Sequence, residues 1–540
     1  MVHSIFTEDQ FKKNDFIIIF LFFTSIILFL SLTGYTFLGV QDEVQLQSTL
    51  AAGDPRNYMM SYPLSILVSF LYTKLPAIPW YSILMLLYIS LISLLMAIYI
   101  ARSNNDKFLK YILLSLFTLI LILILFDVTV TLISVMLIVF AVPLIRNHQI
   151  YFWILLFLAS LLRVEMILNI SPLILLVYLT LVRKTSFNAK STLLMLFLLA
   201  AMSLNYISSS FDKEYKEWLT FQKARIYFND KKGTNKKNIL TNDEFQLAHS
   251  WWICDPDIYP VDKIMKAAGS NVDVIRDVVL TKYGIKRALN KVYQNKILLV
   301  LILLTLYILY LEKNNLRRGY YILFTIGFFS LILVKDQQRT TLPVVMLWSM
   351  ILVLTLLKNH KDTVLKIFLF FVIVHTVMET PWEKVTNYKQ NEQLVSEFKN
   401  LVKRNGNMKL EPPSGFTASW KLTQTVLEQN HLLYEKDDVD FNHHLVLAQW
   451  FTMHPIFFEQ HDITFKNTKR KFNTYYEYLL DVNTGIIGSK DRITINPFLA
   501  ENLLRMYDEK FAVELACHHK IKIVDESEHF IVKQIVKECI

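Results

Sequence analysis

The amino-acid sequence predicts an α-helical polytopic membrane protein of about eleven spanning helices with a C-terminal extracytoplasmic α/β domain. Three observations predict it. Hydrophobic residues make up 53% of the 540 and charged residues only 19%, against roughly 25% in an average soluble domain. The missing charge is concentrated in residues 1–380, which are mostly apolar blocks, while 381–540 has the composition of an ordinary soluble domain. Lysine and arginine also crowd into alternate connections between the blocks.

A hydrocarbon core of about 30 Å takes roughly 20 apolar residues as a helix, and in lipid only a helix satisfies its own backbone. The expected spans are 16–34, 81–100, 108–126, 129–145, 150–162, 166–182, 192–208, 295–312, 319–334, 341–357 and 363–378. Asp127 divides the continuous run 108–145, and Arg163 with Glu165 divides 150–182. The first stretch, Asp15 to Gly34, lacks a small-residue cleavage site and is expected to be a retained helix.

With a cytoplasmic N-terminus, the inner connections receive Lys12 and Lys13; Arg102, Lys107 and Lys110; Arg146; Arg183, Lys184 and Lys190; Lys313, Arg317 and Arg318; and Lys358 and Lys361. The short outer turns hold few cations: Arg56, Lys74, Arg163, Lys335 and Arg339. This distribution predicts a plasma-membrane protein whose outer parts are the loop 35–80, the insertion 208–294 and the tail 381–540.

The formal net charge of +10 is accounted for by these inner connections, so no nucleic-acid partner is expected. Cys254, Cys517 and Cys539 form neither a disulfide framework nor a zinc motif, although a Cys517–Cys539 bridge is open to an extracytoplasmic tail. His443, His444 and His454 lack zinc-motif spacing and are read as surface or packing residues. There is no P-loop, no GxGxxG after a strand, no GxSxG and no internal repeat, which argues against ATP-driven transport within this chain.

The outer side carries the unusual residues. Asp42-Glu43 follows the first helix, and Asp54, Arg56 and Pro63 follow in the same loop. Adjacent carboxylates raise each other's proton affinity, which suits a general base or a cation site; the plain alternative is a solvated loop. Pro63 to Ile78 is amphipathic and predicts a helix lying in the interface. Asp127, Arg163 and Glu165 sit at tight outer turns, either facing a cavity or marking the turn. Arg163 and Arg339 are good bidentate phosphate ligands.

In the insertion, Trp218, Phe221, Arg225 and Phe228 share one helical face. They read either as a helical cap packed on the bundle or as aromatics that stack on sugar rings. In the tail, Asn496 to Glu514 predicts a helix, and Ile521 to Val524 with Phe530 to Val536 predicts a hairpin around Asp525 to Glu528.

In this order and sidedness the chain resembles the GT-C class of membrane glycosyltransferases, over nearly its full length. The residues that carry the resemblance are Asp42-Glu43 after the first helix, the run from Gly53 to Tyr81, Arg163, the stretches Trp218 to Asp230 and Asn242 to Asp255, and Arg339 before Pro343. The resemblance implies an inverting enzyme that moves a sugar from a polyprenyl-phosphate carrier to a glycan, lipid or teichoic-type acceptor of the cell envelope. It implies Asp42 or Glu43 as the base and Arg163 or Arg339 as the donor-phosphate ligand. Asp54, Arg56, Asp127, Glu165, Trp218 and Arg225 would support them. A divalent cation at the acidic pair is left open. The competing classes are a polysaccharide polymerase or ligase, a transporter of lipid-linked saccharides, and a non-catalytic envelope scaffold. A transporter would favour midplane charges and inverted repeats, and neither is evident.

Overall fold

The computed structural model describes residues 13–32, most of 41–164, 211–230, 259–268, 296–334, 362–379, 409–411, 484–489 and 517–539, with isolated positions between them. Its first helices are α1 (Lys13–Leu32), α2 (Gln41–Ala51), α3 (Tyr62–Lys74), α4 (Trp80–Arg102), α5 (Lys107–Phe126), α6 (Val130–Ala141) and α7 (Gln149–Leu162). They are followed by α8 (Lys213–Asp230), α9 (Val261–Ala268), α10 (Lys296–Leu311), α11 (Asn315–Val334) and α12 (Asp362–Glu379).

Eight of the expected spans coincide with helices: α1, α4, α5, α6, α7, α10, α11 and α12. The expected spans at 166–182, 192–208 and 341–357 lie outside the described residues, apart from isolated positions. Among the described residues, one helix, Trp80–Ala101, is long and apolar enough to cross a membrane, at 22 residues and a mean hydropathy of 2.6. Shorter apolar helices run over Asp15–Ser31, Lys110–Phe126, Val130–Ala141, Ile150–Leu162 and Leu298–Leu311.

The core is centred on α6, every residue of which is buried. It packs against α4 and α7, and α4 packs against α1 and α5. The expected span 129–145 is α-helical only to Ala141 and continues as a 3-10 turn over Val142–Ile145. Pro143 accounts for the change, because it has no N–H to donate to the helix ladder. The outer helices differ from α6 by presenting apolar side chains outward. Phe29 of α1, Tyr310 of α10, Ile326 of α11 and Phe370 of α12 are each more than half exposed.

Five hydroxyls in these helices bond the backbone of their own helix. Thr24 donates to Phe20 O, Ser93 to Ile89 O, Thr118 to Leu114 O, Thr305 to Leu301 O and Thr325 to Tyr321 O, at 2.7–3.0 Å. Each hydroxyl donor is thereby satisfied without water.

The tail contains a four-stranded sheet of β1 (Lys409–Glu411), β2 (Thr484–Ser489), β3 (Cys517–Glu526) and β4 (Phe530–Cys539) in the order β1-β2-β4-β3. β1 runs parallel to β2, and the other pairings are antiparallel. The expected hairpin is β3–β4, longer at both ends than its most apolar residues indicate. Its turn is held by a helical stretch ending near Arg404. Arg404 makes a bidentate pair with Asp525 at 3.1 Å, and Glu397 accepts from the His529 backbone N–H at 2.8 Å. The expected helix over Asn496 to Glu514 and the histidines 443, 444 and 454 lie outside the described residues.

Candidate functional site

The stretch after α1, read as a loop, contains a helix. α2 is polar by composition, yet Glu43, Leu46, Gln47 and Leu50 recur at helical spacing and all are buried. That spacing is the signal that finds the helix in the sequence. The helix ends in a Schellman turn: Gly53 N–H bonds Leu50 O and Asp54 N–H bonds Thr49 O, both at 3.1 Å. Gly53 holds φ at +80° there, a conformation that favours glycine.

Glu43 is fully buried. Its Oε2 accepts the Tyr81 hydroxyl, from the start of α4, and its Oε1 accepts the Val130 backbone N–H at 3.1 Å. Val130 is the first residue of α6, and the preceding Thr129 caps that helix by accepting the Leu132 N–H at 3.0 Å. A carboxylate is well placed here, because the first N–H groups of a helix have no partner within it and carry partial positive charge.

Arg163, just past the end of α7, donates Nη1 to the Thr131 hydroxyl. Glu43 and Arg163 therefore reach consecutive residues of the first turn of α6 from separate helices. The α7 end is tied to the connection between α2 and α3 as well, since Ser61 donates its hydroxyl to Leu161 O.

Between α2 and α3, Asp54 is buried and holds Arg56 in a bidentate pair at 2.8 and 2.9 Å. Arg56 also lies 3.6 Å from Glu214 in α8. Asn57 caps the approach to α3, its Oδ1 accepting the Met59 and Met60 N–H groups at 3.0 and 2.7 Å. The Tyr215 hydroxyl donates to Asn57 O. Tyr62, Tyr215 and Trp218 form a stack with centroid separations of 4.6 and 5.5 Å. Trp218, Phe221, Arg225 and Phe228 are all buried. The face predicted for α8 is thus its packing face, and Arg225 bonds Gln222 Oε1 at 3.2 Å inside it.

These contacts bring together the end of α7, the starts of α4, α6 and α8, and the segment from α2 to α3. Asp42 lies on α2, but on a different face from Glu43, because consecutive helical residues are turned by about 100°. Asp127, Glu165 and Arg339 lie outside the described residues. Among the described residues no group of three or more His, Cys, Asp or Glu side chains is placed to hold a metal ion. Comparison with family models, curated proteins and solved structures gave no match.

Proposed function

We propose that the chain is an inverting membrane glycosyltransferase of GT-C type, taking a sugar from a polyprenyl-phosphate carrier to a cell-envelope glycan, lipid or teichoic-type acceptor. The observation that carries this reading is the meeting of Glu43 and Arg163 on the first turn of α6. A guanidinium beside the positive end of a helix makes an anion-attracting corner, which suits the phosphate of a lipid-linked donor. The outward apolar side chains of α1, α10, α11 and α12 and the self-satisfied hydroxyls support a bundle in contact with lipid. α3, at the same end, is not the amphipathic helix the sequence predicts: it buries Ser65 and Ser69 and turns Ile66, Leu67 and Phe70 outward, and an apolar outward side suits the interface where a lipid donor enters.

Within this reading the two carboxylates have separate tasks. Glu43 is committed to Tyr81 and to α6, so it positions the site. Asp42 is the base. The acceptor oxygen attacks the sugar's anomeric carbon, the bond to the carrier phosphate breaks, and the hydroxyl proton passes to Asp42. Arg163, together with Arg339, stabilises the charge on the departing phosphate.

The test is transfer from a polyprenyl-phosphate-linked sugar by purified protein in lipid. Asp42→Asn is expected to lower the rate about 10²–10⁴-fold, and Arg163→Gln about 10²–10³-fold. Full transfer by Asp42→Asn and by Glu43→Gln would remove the acidic base from the mechanism. A scaffold, by contrast, would show no saturable, Arg163-dependent binding of polyprenyl phosphate.

A further inference from the structure

Cys517 and Cys539 are register partners across the β3–β4 hairpin. They lie 22 positions apart in a sequence with three cysteines in all, the third being Cys254. The pairing runs without a shift from Cys517↔Cys539 to Ile523↔Lys533, and the one irregularity falls nearer the turn, between Ile523 and Asp525. Directly opposed residues of an antiparallel pair have Cα atoms about 4.5–5.5 Å apart and project to the same face. That separation lies inside the roughly 4.4–6.8 Å range that a disulfide spans.

The position has a mechanical logic. One end of the hairpin is closed by its turn, where Ser527 N–H bonds Phe530 O at 2.9 Å. The other end is where β3 enters and β4 leaves, next to Ile540. β3 is the terminal strand of the sheet, so among the described strands it is held by β4 alone. Such an end frays unless something ties it.

We propose that Cys517 and Cys539 form an intramolecular disulfide that clips the open end of this hairpin. The proposal rests on the outer placement of the tail, because disulfides persist in oxidising compartments. Its formation is an exchange with the disulfide of a thiol–disulfide oxidoreductase. One cysteine thiolate attacks that disulfide and forms a mixed disulfide. The second thiolate displaces the donor, which leaves as a dithiol carrying the two protons. Two protein thiols are oxidised and one donor disulfide is reduced.

The test uses full-length Cys254→Ser protein in intact cells, labelled with a membrane-impermeant maleimide before and after reduction. The expected result is no label at either remaining cysteine before reduction, label at both afterwards, and monomer mobility on a non-reducing gel. Adding Cys539→Ser should leave Cys517 reactive without reductant. Label at both sites before reduction would overturn the clip while leaving the outer placement intact. Label only after the membrane is opened, with no reductant, would overturn the clip and the outer placement together. Protected thiols in a covalent dimer would also overturn it.

Discussion

Glu43 accepts the backbone N–H of Val130 while Arg163 donates to the hydroxyl of Thr131, so an acid from α2 and a base from the end of α7 share one turn of α6. The two charges sit where the helix's own positive end favours the anion and opposes the cation. A second anion at Arg163 would relieve that opposition, which is the electrostatic argument for a phosphate there.

The buried carboxylate has a stability consequence. Glu43→Ala leaves the Tyr81 hydroxyl and the Val130 N–H buried without this acceptor, and should cost about 1–3 kcal/mol. Tyr81→Phe removes one charge-assisted bond, worth about 1.5–3 kcal/mol. The two changes share an interaction, so a double-mutant cycle read by thermal unfolding in detergent should show a coupling of about 0.5–3 kcal/mol. Additive losses would mean that the Tyr81–Glu43 contact contributes nothing.

The docking of α8 makes a separate prediction. Trp218 is fully buried against Tyr215, which in turn stacks on Tyr62. Trp218→Ala should destabilise by about 3–5 kcal/mol. Tyr215→Phe, which keeps the stack and loses only the bond to Asn57 O, should cost about 0.5–1.5 kcal/mol. Limited proteolysis across 213–230 should rise more for Trp218→Ala than for Tyr215→Phe, and equal effects would contradict the packing described.

How much of this was legible in the sequence follows from which interactions are local. Helix ends in the apolar blocks were readable because a run of apolar residues interrupted by charge is a local signal. The packing face of α8 was readable from the spacing of Trp218, Phe221, Arg225 and Phe228. The role of Glu43 was not, because its partners Tyr81 and Val130 lie 38 and 87 positions away. The helix around it was missed because its buried face includes Glu43 and Gln47, so the apolar pattern is incomplete. Arg163 was singled out for its charge at a turn, but Thr131 carries no signal of its own.

The tail should respond to acid. Burial pushes Glu397 up, but the backbone N–H and the imidazole of His529 outweigh it and bring the carboxyl below its ordinary 4.5. Burial likewise raises Asp525, but Asn405, the Glu526 N–H and Arg404 outweigh it and bring it below 3.8. Depressed carboxylates contribute stability that is fully present above their unfolded values and lost as pH falls through the folded ones. Hydrogen-exchange protection at Leu401 and at Lys403 to Asn405, taken relative to the intrinsic rate at each pH, should therefore be high above pH 4.5 and fall below the folded values. Asp525→Asn should weaken this pH response, and an unchanged response would contradict the contribution of Asp525.

Everything in the proposed chemistry requires that α8 and the turn between α10 and α11 face opposite sides of the membrane. Lys213 and Lys313 report on these places, and both are exposed. The measurement is labelling of Lys213→Cys and Lys313→Cys, each in a background with the native cysteines changed to serine, by an impermeant maleimide on intact cells. The account predicts that position 213 reacts at once and position 313 only after the membrane is opened. Reaction at 313 with protection at 213 would contradict it.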